Sequence, residues 1–296
     1  MSNNKISLEE IKNALSSSDA QWKAEGTILS SLPFEEKKFY LGANPPAHEP
    51  SAEEIERQIS SVKESLRAEA LGAINVPTTY DLRNADGKNF VTAIKDQKSC
   101  GSCVSFGTIA TVEGSLRVQR KNPNLDVDLS EAHLFFCHGS QSGAACSSGW
   151  WPTAAYDAFK DKGVVDESCY KYDEGLEKQD CSAICADPDS RVTKIKEYTD
   201  LTGKPAQIKE WVSSKGPVSA CLIVYEDLYS YKSGIYKHVT GKRLGGHCVT
   251  IIGYDDNQGC WICKNSWYTR WGEQGFFRIA YGECGIDSWS NHGVDC

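Results

Sequence analysis

The stretch Asp96-Gln97-Lys98-Ser99-Cys100-Gly101-Ser102-Cys103-Val104-Ser105-Phe106 decides how this chain is read. Gly101 and Ser102 are helix-start residues. Beyond them Cys103, Phe106, Ala110, Glu113 and Leu116-Arg117 recur at helical spacing, which predicts a helix over 103–119. A thiol at a helix N-terminus meets unpaired N–H groups and the positive end of the macrodipole, and both favour thiolate over thiol. Such a position suits a nucleophile, provided the chain also supplies a base.

Of six histidines, His247 has the fitting context. It follows Gly245-Gly246 and opens an apolar run that ends in the turn Asp255-Asp256-Asn257-Gln258-Gly259. The run Cys260-Trp261-Ile262-Cys263-Lys264-Asn265 follows, so the two read as a hairpin. A bulge-free hairpin centred on Asp256 sets His247 opposite Asn265 on one face. An Asn oxygen there accepts from the imidazole and fixes the ring, which completes a nucleophile–base–orienter set. His48, His133, His138, His238 and His292 lie in polar or loop-like sequence and carry no such expectation.

The chain has 296 residues, enough for one or two domains, with 40% hydrophobic and 24% charged residues, as in ordinary globular proteins. A net charge of -8 gives no basic footprint for nucleic acid and argues against anionic membrane surfaces. No apolar run approaches the roughly 18 residues that span a bilayer. The opening Met1-Ser-Asn-Asn-Lys5 leads into polar sequence, with no secretory signal visible. The cysteines point the other way. All 13 lie at or after Cys100, and Cys137, Cys146, Cys169, Cys181 and Cys185 sit in polar, turn-rich sequence. These five read as disulfide partners, which implies a secreted or lysosome- or vacuole-like oxidising compartment. The odd total leaves at least one thiol over, assigned to Cys103; Cys248 and Cys263 lie in apolar runs and read as core thiols.

Residues 1–75 differ from the rest: they hold no cysteine and are rich in Glu, Lys, Ser and Ala. They read as an amphipathic helix over 6–29, a short helix near Phe34, a linker Asn44-Pro45-Pro46-Ala47-His48-Glu49-Pro50, and a helix from Ser51 with the capping-box start Ser51-Ala52-Glu53-Glu54. This region is either a helical extension or a removable pro-segment. Residues 76–296 place helices first (103–119, a turn capped by Ser130, and one stopped by Gly163) and strands second, at 218–224, 247–254, 260–264 and 275–280. That order predicts an α+β domain in two lobes.

These residues together resemble the papain-like cysteine peptidases. The Cys-Gly-Ser-Cys element is one signature of papain and the cathepsins, and the likeness runs from Val76-Pro77-Thr78-Thr79-Tyr80-Asp81-Leu82-Arg83 to Ile286. The resemblance implies a helical left lobe and an antiparallel, barrel-like right lobe with the site in the cleft between them. It implies Cys103 as nucleophile, His247 as base, Asn265 as orienter and Gln97 as an oxyanion donor. Asn265-Ser266-Trp267-Tyr268-Thr269-Arg270-Trp271-Gly272 resembles the family's C-terminal motif, with Trp267 shielding the His–Asn bond. Gly149, in Cys146-Ser147-Ser148-Gly149-Trp150-Trp151, would pair with an extended substrate, beside Gly246. Trp150, Trp151, Ala220 and Trp289 would line the pocket for the second residue before the cut. The same matching implies the bridges Cys100–Cys146 and Cys137–Cys181, and leaves Cys284 in need of another partner, for which Cys296 is the expectation. Val104, Ser105, Ser148 and Tyr268 depart from the family pattern.

The function implied is an endopeptidase acting on protein or peptide substrates through a thioester, made as a zymogen with residues 1–75 as its own inhibitory pro-segment. No metal or cofactor is expected, and a monomer is. A papain-like binding or storage protein without activity is the alternative. An acyl transferase with the same triad is another. A zinc or redox role for Cys100-x-x-Cys103 and Cys260-x-x-Cys263 is disfavoured, because ribbon-type pairs lie about 15–20 residues apart and these are far more distant.

Overall fold

A computed structural model describes residues 6–73 and 75–296; the reading of Met1 to Lys5 lies outside them. The first 68 of these residues form an arm, with α1 (Leu8–Ser16), β1 (Lys23–Ala24), α2 (Ile28–Ser31), α3 (Phe34–Lys37) and α4 (Ala52–Leu71). α4 starts on the expected capping box: Ser51 accepts from the Glu54 N–H, and the Glu54 carboxylate accepts from the Ser51 N–H. The single helix expected over 6–29 does not form. Ser16, Ser17 and Ser18 turn their hydroxyls onto carbonyls of the preceding turn, which ends α1. The chain then extends so that β1 pairs with Ser233 and Tyr231. Trp22 is buried between Tyr231 and Tyr236 and donates to the Lys237 carbonyl at 2.8 Å. Tertiary burial of one tryptophan overrides the local helical pattern.

The helical lobe follows. After the short β2 (Thr79–Asp81) comes α5 (Cys103–Gln119), then α6 (Pro152–Asp161) and α7 (Tyr172–Lys178). α5 is buried on almost every side from Cys103 to Leu116, since it packs between α6 and the sheet strands behind it. Ser130 caps the next turn as expected, accepting from the His133 N–H at 2.9 Å, and that turn continues as a π-helix over His133–His138. α6 begins on Pro152 and ends before Gly163, whose φ is +79°. Three disulfides lie in this lobe: Cys100–Cys146, Cys137–Cys181 and Cys169–Cys185. The first two are the expected pairs, and the five polar-context cysteines are all bridged.

The second lobe holds β3 (Glu197–Asp200), α8 (Pro205–Ser214), β4 (Val218–Tyr225), β5 (Tyr231–Ser233), β6 (Ile235–Tyr236), β7 (Arg243–Asp255), β8 (Cys260–Lys264), β9 (Phe276–Ala280) and β10 (Asn291–Asp295). The main sheet runs β3-β10-β4-β7-β8-β9-β6, with β2 beside β7. It is antiparallel except for the β6–β9 pair. β4 and most of β7 and β8 are buried on both faces, because α5 covers one side and the arm and α8 reach the other. Cys284 and Cys296 do not pair: both are free, Cys284 buried beside Glu283 and Cys296 beside the Val112 carbonyl. Cys248 and Cys263 are buried free thiols, as expected.

Candidate active site

Ser102 occupies the N-cap position of α5 but does not cap it. Its hydroxyl meets the Tyr172 hydroxyl at 2.6 Å, and Tyr172 also donates to the Gln97 carbonyl at 2.8 Å. The first N–H groups of the helix are thereby left facing the cleft, with Cys103 at the opening position. Cys100, bridged to Cys146, and the Gly101 N–H on the Cys146 carbonyl at 2.9 Å hold this turn in place.

The opposite wall is β7 and β8. Their register pairs Thr250 with Lys264 and Ile251 with Cys263, then shifts across an irregularity to pair Gly253 with Ile262. His247 and Asn265 are therefore not opposed, as a bulge-free hairpin required. They are diagonal neighbours on one face, which still lie within reach of each other. His247 Nε2 and Asn265 Oδ1 are 2.7 Å apart, and Asn265 Oδ1 also accepts from the Ser266 N–H at 2.8 Å. Trp267 stacks on the imidazole with ring centroids 4.6 Å apart, which keeps water from that bond. His247 Nδ1 is buried and makes no hydrogen bond.

Gln97 joins the two walls. Its Oε1 accepts from the Ser266 hydroxyl at 2.7 Å, and its Nε2 donates to the Cys100 carbonyl at 2.9 Å. Nε2 also donates at 3.1 Å to the carbonyl of Tyr40, a residue of the arm, and the Trp267 indole N–H approaches the same oxygen at 3.3 Å. The arm then threads the cleft. The N–H groups of Gly42 and Ala43 donate to the Gly246 carbonyl, the Trp150 N–H donates to the Gly42 carbonyl, and the Asn44 N–H donates to the Trp150 carbonyl. This approach needs glycine on both sides. A Cβ on Gly42 would come within 1.9 Å of the Gly101 oxygen, and one on Gly149 within 2.1 Å of the Gly42 oxygen.

Gly149 thus lends space, while its own N–H stays within its loop on Ala145. Trp150 contributes its backbone; its ring is not a cleft wall but packs under Phe135 and Gly139, with its indole N–H on Ser142. Trp151 and Trp289 do meet, with centroids 5.6 Å apart, and Trp289 lies against Gly246. Ala220 is buried on β4. Of the departures from the family pattern, Val104 is buried in the core, and Ser105 donates to the Glu131 carbonyl. Tyr268 takes a φ of +63°, a conformation that glycine adopts without strain, and stays half exposed.

Sealed in this way, Cys103 is fully buried. Burial pushes its thiol up, the neighbouring Cys248 adds to this, and backbone N–H groups of Cys248, Gly42 and Val104 partly oppose it. Burial also pushes His247 down to about 4, against the support of Asn265. Both groups are neutral here, a thiol and an imidazole. Ser266, Tyr172 and Tyr40 complete the site without having been singled out in the sequence. Ser266 stood inside the quoted motif, and only its contact with Gln97 reveals its role.

The family model for papain family cysteine proteases matches residues 76–293. The chain is 33% identical over 239 residues to a gut-specific cysteine proteinase of Caenorhabditis elegans, covering 72% of each. It is 34% identical over 227 residues to cathepsin B-like CP2 of Giardia intestinalis, again covering 72% of each. Among solved structures, procathepsin B S9 from Trypanosoma congolense superposes with a TM-score of 0.73 at 25% identity, covering 97% of this chain and 96% of that one. Procathepsin L 3 of Tenebrio molitor gives 0.72 at 26%, covering 98% and 88%. With this two-lobed fold, the chain belongs to the papain family of cysteine proteases and is a peptide-bond hydrolase.

Proposed function

We propose that this chain is the zymogen of a cysteine endopeptidase, with Cys103, His247 and Asn265 as its triad and the arm as its inhibitory pro-segment. The observation that carries the reading is the Tyr40 carbonyl on Gln97 Nε2, followed directly by Gly42 and Ala43 across the cleft. The arm occupies the oxyanion donor and the backbone sites that a substrate needs.

Displacing the arm rehydrates both reacting groups. The sulfur already bonds the backbone N–H of the residue after His247, and the unpartnered Nδ1 takes its proton, giving a thiolate–imidazolium pair supported by the α5 dipole and Asn265. The thiolate attacks a peptide carbonyl. Gln97 Nε2 and the Cys103 N–H hold the developing oxyanion; loss of one such donor typically costs about 10²–10³ in rate. His247 protonates the leaving amine, and water then cleaves the thioester. Substrate backbone lies along Gly149 and Gly246, with Trp151, Ala220 and Trp289 around its second residue before the cut. Three disulfides fit an oxidising, secreted or lysosome-like compartment.

Cys103→Ala is expected to abolish both peptide cleavage and labelling by an epoxide thiol trap. Cleavage that persists in this variant sinks the assignment. Removal of residues 1–75 is expected to raise trap labelling of Cys103, whereas equal labelling with and without them reduces the arm to a structural extension.

A further inference from the structure

Cys248 follows His247 on β7, and its sulfur fills the hollow left by Gly107, where a Cβ would come within 2.6 Å of Sγ. The thiol therefore points at α5, one turn beyond Cys103. The Cys103 sulfur accepts the Cys248 backbone N–H. On the other side, Cys221 of β4 is the registered partner of Cys248. The Cys221 N–H turns away from β7, toward the carbonyls of Trp289 and Ser290. The two cysteines are therefore a non-hydrogen-bonded pair, with Cα atoms about 4.5 Å apart, inside the range of about 4.4–6.8 Å that a disulfide spans. The Cys248 thiol donates to the Val249 carbonyl at 3.9 Å, and the Cys221 thiol lies beside it. Cys103, Cys248 and Cys221 thus form a row of three free, buried thiols with Cys248 in the middle. Peptide hydrolysis uses only the first.

A nucleophilic thiolate is the group that peroxide oxidises most readily, and beyond sulfenic acid the damage is irreversible. We propose that Cys248 and Cys221 are resolving thiols that return the peroxide-oxidised nucleophile to its reduced form. The proposal rests on Cys103 being a thiolate once the arm has left. The Cys103 thiolate attacks one peroxide oxygen, the O–O bond breaks, and the departing hydroxide takes a proton from the His247 imidazolium, leaving sulfenic acid and water. The Cys248 sulfur attacks the Cys103 sulfur; the S–O bond breaks, water leaves with the Cys248 proton, and a Cys103–Cys248 disulfide forms. Cys221 then attacks the Cys248 sulfur, expels Cys103 as thiolate and passes its proton to His247. The net reaction joins Cys221 and Cys248 and converts one peroxide to two waters.

The test treats the processed enzyme with a single molar equivalent of hydrogen peroxide, quenches with N-ethylmaleimide, and maps cysteines by mass spectrometry without reduction. kcat/KM on a peptide is read in parallel. The expected result is a Cys221–Cys248 disulfide, an alkylated Cys103 and retention of most activity. Cys221→Ala keeps basal activity before treatment and stops at the Cys103–Cys248 disulfide, with activity lost until dithiothreitol restores it. Cys248→Ala leaves Cys103 as a sulfenic acid that dimedone captures, and a second equivalent of peroxide carries it to sulfinic acid, with a loss that dithiothreitol does not reverse. Dimedone-captured sulfenic Cys103 in the wild type and in Cys221→Ala, with the remaining thiols of the row alkylated, overturns the proposal. Hydrolysis by untreated enzyme tests the proposed function separately, and the disulfide map is decisive whatever that outcome.

Discussion

The two walls of the cleft use cysteine in opposite ways. In the helical wall six of seven cysteines are bridged, all within residues 100–185, and Cys103 alone is free. In the sheet wall none of Cys221, Cys248, Cys260, Cys263, Cys284 and Cys296 is bridged, and all but the last are buried. The difference follows from the backbone. Eight strands satisfy one another's N–H and C=O groups through a continuous ladder, whereas the helical wall is short helices joined by long irregular segments. Covalent closure substitutes there for the regular hydrogen bonding that the sheet has.

This contrast can be broken in steps of falling size. In a Cys103→Ala background, which on the proposed triad prevents self-digestion, removing the Cys100–Cys146 bridge by serine substitution is expected to lower unfolding free energy by about 4 kcal/mol, from the loop-closure entropy of its span. Removing Cys169–Cys185, which closes a shorter loop, is expected to cost about 3 kcal/mol. Urea midpoints check both, and equal costs for the two spans would argue against an entropic origin.

A third test addresses the seam between the walls. Burial holds His247 at about 4 in the shut cleft, against about 6.5 when free. The open state therefore binds more protons between these values, and the shut state loses stability as pH falls from 6.5 towards 4. At pH 5 the loss is about 2 kcal/mol. It is read as weakened hydrogen-exchange protection at the Gly42 and Ala43 amides, after correction for the intrinsic rate. A local readout is needed because burial raises Glu131 to about 8 and Glu167 to about 7. Those carboxyls bind protons more readily when folded, so acid favours the folded state through them. Smallest of all, Cys260→Ala in the sheet wall is expected to cost about 1 kcal/mol, because a buried free thiol behaves as a small apolar group. A loss rivalling that of a bridge would remove the contrast.

The sequence disclosed the parts of this molecule that depend on short-range periodicity. The α5 boundaries, β8 and the Ser51 capping box came from spacing alone. The hairpin that joins His247 to Asn265 has its register displaced, because Asp255 pairs with Cys260 and so centres the turn beyond Asp256, and the irregularity between Ile251 and Gly253 restores only part of that offset. What stayed hidden depends on contacts between distant residues. Local spacing makes the arm's first helix too long, since only Trp22 meeting Tyr231 and Tyr236 explains why the chain extends there. The family likeness puts Trp150 among the pocket residues, whereas its ring packs on Phe135 and Gly139. Ser102 has the sequence of a helix cap, yet its hydroxyl serves as a partner for Tyr172, a residue 70 positions away.

On the proposed reading of the arm as an inhibitory pro-segment, the junction of Gly42 with Gly101 and Gly149 bears on how that restraint can fail. Three residues without side chains meet there, and no other residue fits at Gly42 while the backbones stay where they are. The gene therefore carries a fragile codon outside the catalytic apparatus. If the arm inhibits as proposed, a single change to almost any other amino acid at that position leaves the machinery intact and removes its safety catch, so constitutive variants lie one substitution away, while reversion demands glycine alone.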